Sequence, residues 1–108
     1  MEANHALLAL AALAQEHRLA AFRLLVEAGP DGLPAGRIAA ALDVPASSLS
    51  FHLAQLTEAG LVRQQREGRS LIYTAHFPAM TALVQFLTEN CCGGEPCVPV
   101  LAEWAWKA

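Results

Sequence analysis

The sequence predicts a mainly α fold with one small β-hairpin, folded as a single domain over 1–108. Three observations point to it. Apolar residues recur at helical spacing through most of the first sixty positions; one later run alternates apolar and polar residues about Glu67-Gly68; and the length lies within the usual range for one domain. Hydrophobic residues make up 55% of the chain, which is enough to build a core. No internal repeat, low-complexity tract or dividing linker interrupts it. The most apolar early stretch, "HALLALAALAQ", lacks a basic leader and a convincing cleavage site and is too short to span a bilayer. A soluble cytoplasmic chain with no membrane partner is the expectation.

The opening, about 2–15, is helical and apolar on nearly every face, as expected of a helix that packs against a partner subunit as well as its own domain. A second helix over about 16–28 places Leu19, Phe22 and Val26 on one stripe, and "GPDG" ends it. A short helix over about 35–42, a tight turn at 43–45 and a longer helix ending at Gly60 then form a helix-turn-helix over about 35–60. In the longer helix Leu49, Leu53 and Leu56 recur at i, i+4 and i+7 and turn inward. Ser47, Ser48, Phe51, His52 and Gln55 are left on other faces, with Ser50 near the boundary. A polar outer face is ordinarily just a solvated one. The next segment, about 61–75, changes that reading: "LVRQQREGRSLIYTA" has the pattern of a hairpin, with Arg63, Arg66 and Arg69 gathered around its tip. A basic hairpin directly after a candidate recognition helix makes a winged helix-turn-helix. The last helix, about 78–90, offers Met80, Leu83, Val84 and Leu87 as a second interface stripe, unless both terminal helices simply close the monomer core.

A net charge of −3 is unusual for a nucleic-acid binder, but its distribution is more telling. Arg37, Arg63, Arg66 and Arg69 fall inside or beside the helix-turn-helix and wing, whereas Glu2, Glu16, Glu27, Glu89, Glu95 and Glu103 lie outside it. The expected DNA-binding set is therefore Arg37, Ser47, Ser48, Ser50, Phe51, His52, Gln55, Arg63, Arg66 and Arg69, with His5, His17 and His76 as plain surface or core histidines.

"RIAAALDVPASSLSFHLAQLTEAGLV" and the wing "REGRSLIY" resemble the arsenical-resistance repressor (ArsR) family of bacterial metal-responsive transcription factors, and with the flanking helices the resemblance covers nearly the whole chain. Ser47, Ser48, Ser50 and His52 match or nearly match the family pattern. Phe51 stands where a histidine is frequent; contact with a thymine methyl or packing on the sugar backbone could replace that hydrogen bond. The resemblance implies a homodimer on a palindromic double-stranded operator, with the helices at 2–15 and 78–90 as the dimer interface.

All three cysteines lie in "CCGGEPC", at the start of the tail 91–108. A reducing compartment disfavours structural disulfides, so metal binding or thiol chemistry is the first expectation. The cysteine pair that relatives carry on the first helix of the helix-turn-helix is absent, since "GRIAAALDV" holds no thiol. The tail resembles instead the arsenic-responsive version, with adjacent cysteines and a third one after the last helix. That resemblance implies Cys91, Cys92 and Cys97 as ligands of trivalent arsenic or antimony, soft ions that three thiolates suit. Zinc, cadmium or lead with Glu95, His5 or His76 as a further ligand is an alternative, and so is a thiol redox switch. A small thiol enzyme is a third, disfavoured because the trio follows a helix's C-terminal end and is flanked by Glu89 and Glu95.

Overall fold

The computed structural model describes residues 1–90 and Gly93. Its order is α1 (Ala3–Leu13), α2 (Glu16–Ala28), a 3-10 turn (Gly29–Asp31), β1 (Leu33–Pro34), α3 (Ala35–Leu42), α4 (Ala46–Glu58), β2 (Val62–Glu67), β3 (Ser70–Ala75) and α5 (Phe77–Thr88). The fold is mainly helical with a small antiparallel sheet in the order β1-β3-β2.

Helix α1 buries only alanines: Ala6, Ala9 and Ala12 face the core, while Leu7 and Leu8 stay 63% and 59% exposed and Leu10 is exposed as well. The small side chains let α1 approach α2 and α4 closely, and the leucines form an outward apolar stripe. A joint fixes the bend into α2. The Gln15 side chain accepts a hydrogen bond from the Arg18 backbone N–H (2.9 Å), capping α2, and Arg18 Nε donates to the Ala12 carbonyl at the end of α1 (2.6 Å).

The expected stripe on α2 is rotated. Ala21, Phe22 and Leu25 are the buried residues, with Leu19 exposed and Val26 half-buried. Leu19 and Val26 sit about 100–120° round the helix from the centre of that face at 100° per residue. Packing against α4 and β3 selected the face that carries Leu25 and Phe22.

The turn between α3 and α4 is closed by Asp43 in the left-handed region (φ 53°), with the Val44 N–H donating to the Ala39 carbonyl (3.1 Å) and Val44 buried. Helix α4 ends in a Schellman motif. Gly60 takes φ 81°, its N–H donates to Thr57 (3.0 Å), and the N–H of the buried Leu61 reaches back to Leu56 (3.0 Å). Leu49, Leu53 and Leu56 are buried as their spacing predicts, and join Leu25, Ile38, Leu61 and Val62 as the largest fully buried side chains. No polar or charged side chain is buried among the described residues.

The wing runs in register from Val62↔Ala75 to Glu67↔Ser70, closed by Gly68 and Arg69. Strand β1 adds Leu33↔Tyr73 and Pro34↔Ile72 on the other side of β3; it is too short, and too close to a turn, to have left a periodic signal. Helix α5 ends at Thr88 rather than Asn90. Glu89 is extended (ψ 131°) and Asn90 takes φ 58°. The stripe expected on α5 splits: Leu83 is buried and Met80 half-buried against the core, while Val84 and Leu87 are exposed.

Candidate nucleic-acid interface

With Leu49, Leu53 and Leu56 turned inward, α4 presents Ser47, Ser48, Ser50, Phe51, Ala54 and Glu58 to solvent. Phe51 is 58% exposed. Ala54 and Glu58 were absent from the expected set, although Glu58 stands seven residues, two turns, beyond Phe51 on the same face; the i+7 spacing was the available signal. Gln55 is half-buried and lines a groove of ≈ 530 Å³ with Leu8, Ala11, Ala12, Arg18, Glu58 and Ala59. It lies nearer to α1 and α2 than the open serine face does.

His52 sits at the joint between α4 and α2. Its ring stacks on His17 with centroids 5.5 Å apart and planes at 29°, and meets Phe51 edge-on at 5.8 Å and 66°. Its Nδ1 is buried with no hydrogen-bond partner among the described residues. Burial, then the Arg18 guanidinium, then His17 hold the His52 pKa below its ordinary value of 6.5. The fold therefore favours the neutral ring. The stability this provides is present above pH of about 6.5 and is lost as pH falls through and below that value, because the unfolded chain binds the proton more readily. Thermal midpoints at pH of about 7.5 and 5.5 should differ more for the wild type than for His52→Gln. Equal pH sensitivity in the two would remove His52 as the cause.

The arginines are exposed but not clustered. Arg69 occupies the hairpin turn and Arg66 stands opposite Leu71, one pair short of it. Arg63, by contrast, pairs with Thr74 near the base, about 10 Å from Arg66 along the strand. An offset of three residues also sends Arg63 and Arg66 to opposite faces of the hairpin. The expected gathering of three arginines at the tip is thus two at the tip and one beside Pro30, Phe77 and Pro78 at the base. Arg37 is exposed in the first turn of α3. Glu67 at the end of β2 partly offsets the tip's positive charge. Cys91, Cys92 and Cys97 lie outside the described residues, as does the rest of the tail except Gly93.

Residues 13–65 match a family model described as a helix-turn-helix domain, a span from the end of α1 into β2. Over 94 residues the chain is 32% identical to the transcriptional activator HlyU of Vibrio cholerae, covering 85% of this chain and 84% of that protein. The chain belongs to the ArsR/HlyU type of winged helix-turn-helix transcriptional regulators. The solved structure of HlyU matches the fold with a TM-score of 0.66 over 85% of this chain and 99% of that one. A structure of reduced HlyU matches at 29% identity with a TM-score of 0.64, covering 82% and 90% of the two chains. A homodimeric winged helix-turn-helix DNA-binding domain from Mycobacterium bovis, a possible ArsR-family regulator, is 26% identical with a TM-score of 0.64 over 86% of each chain. Membership of the ArsR/HlyU type makes the chain a DNA-binding transcriptional regulator and not an enzyme. No helix among the described residues is long and apolar enough to cross a membrane.

Proposed function

We propose that this regulator is a homodimeric repressor of an arsenic- or antimony-resistance operon, released from its operator when the trivalent ion binds Cys91, Cys92 and Cys97. The observation that carries the reading is where the thiols fall. Helix α5 ends at Thr88, so all three follow within nine residues of the end of a helix that packs on α1. The donor set fits the ion: three soft thiolates complete the shell of trivalent arsenic, each thiol displacing a hydroxide as water. Zinc, cadmium and lead would call on a further ligand such as Glu95 or a histidine.

Dimerisation is supported by the outward stripe of Leu7, Leu8 and Leu10 on α1 and by exposed Val84 and Leu87 on α5, an apolar surface whose burial would be favourable. The homodimeric state of the Mycobacterium bovis neighbour agrees with it. A dimer sets two α4 helices at the spacing of successive major grooves, with the wings on flanking backbone or minor groove. Ion capture beside the end of α5 would then change that spacing through the dimer surface. The repressor sense comes from the ArsR resemblance, since HlyU is named an activator. A second reading, a thiol redox switch, draws support from HlyU having a structure named for its reduced form; a disulfide from Cys97 to Cys91 or Cys92 would be its signal.

A gel shift on the DNA upstream of the protein's own operon tests the DNA half. With roughly six to eight phosphate contacts per dimer, log K should fall against log salt with a slope of about −5 to −7. Arg66→Ala and Arg69→Ala should each weaken binding about equally on all sequences and flatten the slope by about two, one contact per subunit. Binding indifferent to salt would contradict the interface.

A further inference from the structure

The DNA-reading role proposed above leaves open what α4 reads. We propose that Phe51 reads a thymine methyl in each operator half-site.

The residue's surroundings lead there. Among the described residues the other large hydrophobic side chains left exposed are Met1, at the N-terminus, and residues of α1, α2 and α5; Phe51 alone lies on α4. Its ring touches His52 edge-on and otherwise projects from the helix, between Ser47 and Ser48 on one side and Ala54 on the other. It is the sixth of the thirteen residues of α4, in the N-terminal half that a helix-turn-helix points at base edges.

Alternative readers on the same helix are absent or occupied. The sequence of α4, "ASSLSFHLAQLTE", contains neither arginine nor lysine, so the commonest guanine contact, a cation on O6 and N7, cannot come from it. His52 is held against His17, and Gln55 is half-buried in the groove beside α1. The serines donate to or accept from any base and discriminate weakly. The C5-methyl of thymine is the apolar group that the major groove presents. A phenyl ring set against it removes apolar surface from water, whereas the same ring over guanine would cover O6 and N7 without giving them a donor.

Removing the methyl alone tests this. An operator is first selected from a random duplex pool, and each thymine is then replaced singly by deoxyuridine. One thymine per half-site should weaken wild-type binding about fourfold when it loses its methyl, and about fifteenfold when both half-sites do. A cytosine at that position should bind better when carrying a 5-methyl group. Phe51→Ala should still bind, through the serines and the wing, yet be indifferent to the methyl at that thymine, and Phe51→Leu should keep part of the response. Since Phe51 is exposed, both variants should melt near the wild type. If wild-type affinity survives every deoxyuridine replacement, or the sensitive thymine stays sensitive in Phe51→Ala, the assignment of Phe51 is overturned while DNA binding stands. Failure of the pool to yield any bound duplex would overturn the DNA-reading role itself.

Discussion

Gly32→Ala is expected to lower stability by about 3 kcal/mol, whereas Gly29→Ala should lose only about 1 kcal/mol. The two glycines share nearly the same backbone conformation, φ 68° and ψ −166° at Gly32 against φ 79° and ψ −163° at Gly29. That region is open essentially to glycine alone, so both substitutions carry the same conformational penalty. The surroundings differ. A Cβ on Gly29 meets nothing within 4 Å, but one on Gly32 falls against the Tyr73 carbonyl oxygen and Thr74 Cγ2 on β3. Relief would require β1 to part from β3, and β3 is a strand of the wing, so Gly32→Ala should also weaken operator binding. Urea denaturation of both variants at one protein concentration checks the difference, because the stability of a dimer depends on concentration. Equal losses would mean that the contact between Gly32 and β3 does not constrain the wing.

Gly32 also marks a limit of sequence reading. "GPDG" identified a turn but not the pairing of the next two residues with β3, because Leu33 and Pro34 are too few to alternate. Elements that carry their own period were legible: α2, α3, α4 and the hairpin were placed within a residue or two. Their rotation was harder. Leu19 and Val26 have apolar spacing as good as that of Leu25 and Phe22, and only packing on α4 and β3 decides between the stripes. On α1 the all-round apolar pattern could not say which residues face the domain: the alanines do, because they permit a close helix approach, and Leu7, Leu8 and Leu10 are left outward. The outward positions of Ser47, Ser48, Phe51, Arg66 and Arg69 were legible from spacing, but not that His52 turns toward His17. That contact joins helices far apart in the chain, whereas Arg63's place at the hairpin base follows from counting back from the Glu67-Gly68 turn. The tail's three cysteines lie outside the described residues, so its chemistry stays the proposal made from the sequence.

The second large effect concerns those cysteines. Serine at any one of Cys91, Cys92 or Cys97 should leave operator binding intact, since no cysteine lies in the helix-turn-helix or wing. It should largely abolish release by arsenite, because a three-coordinate ion needs all three thiolates. Coupling of about 1–3 kcal/mol between ion and operator corresponds to a 5- to 150-fold loss of affinity in the wild type, and the variants should show almost none of it. A monomethylated arsenical already carries one carbon and needs two thiolates, so one of the single variants should keep its response to that compound while losing the response to arsenite. A zinc sensor would differ, with a histidine or Glu95 joining the essential residues and protons released on binding.

Titration of arsenite into the complex of the reduced protein with fluorescent operator DNA, followed by anisotropy, tests the proposed function most directly. Wild-type complexes should release their DNA as arsenite is added, and complexes of the protein carrying serine at 91, 92 and 97 should hold it throughout. Release from the triple variant at the wild-type arsenite concentration would contradict the proposal and place the inducer site elsewhere.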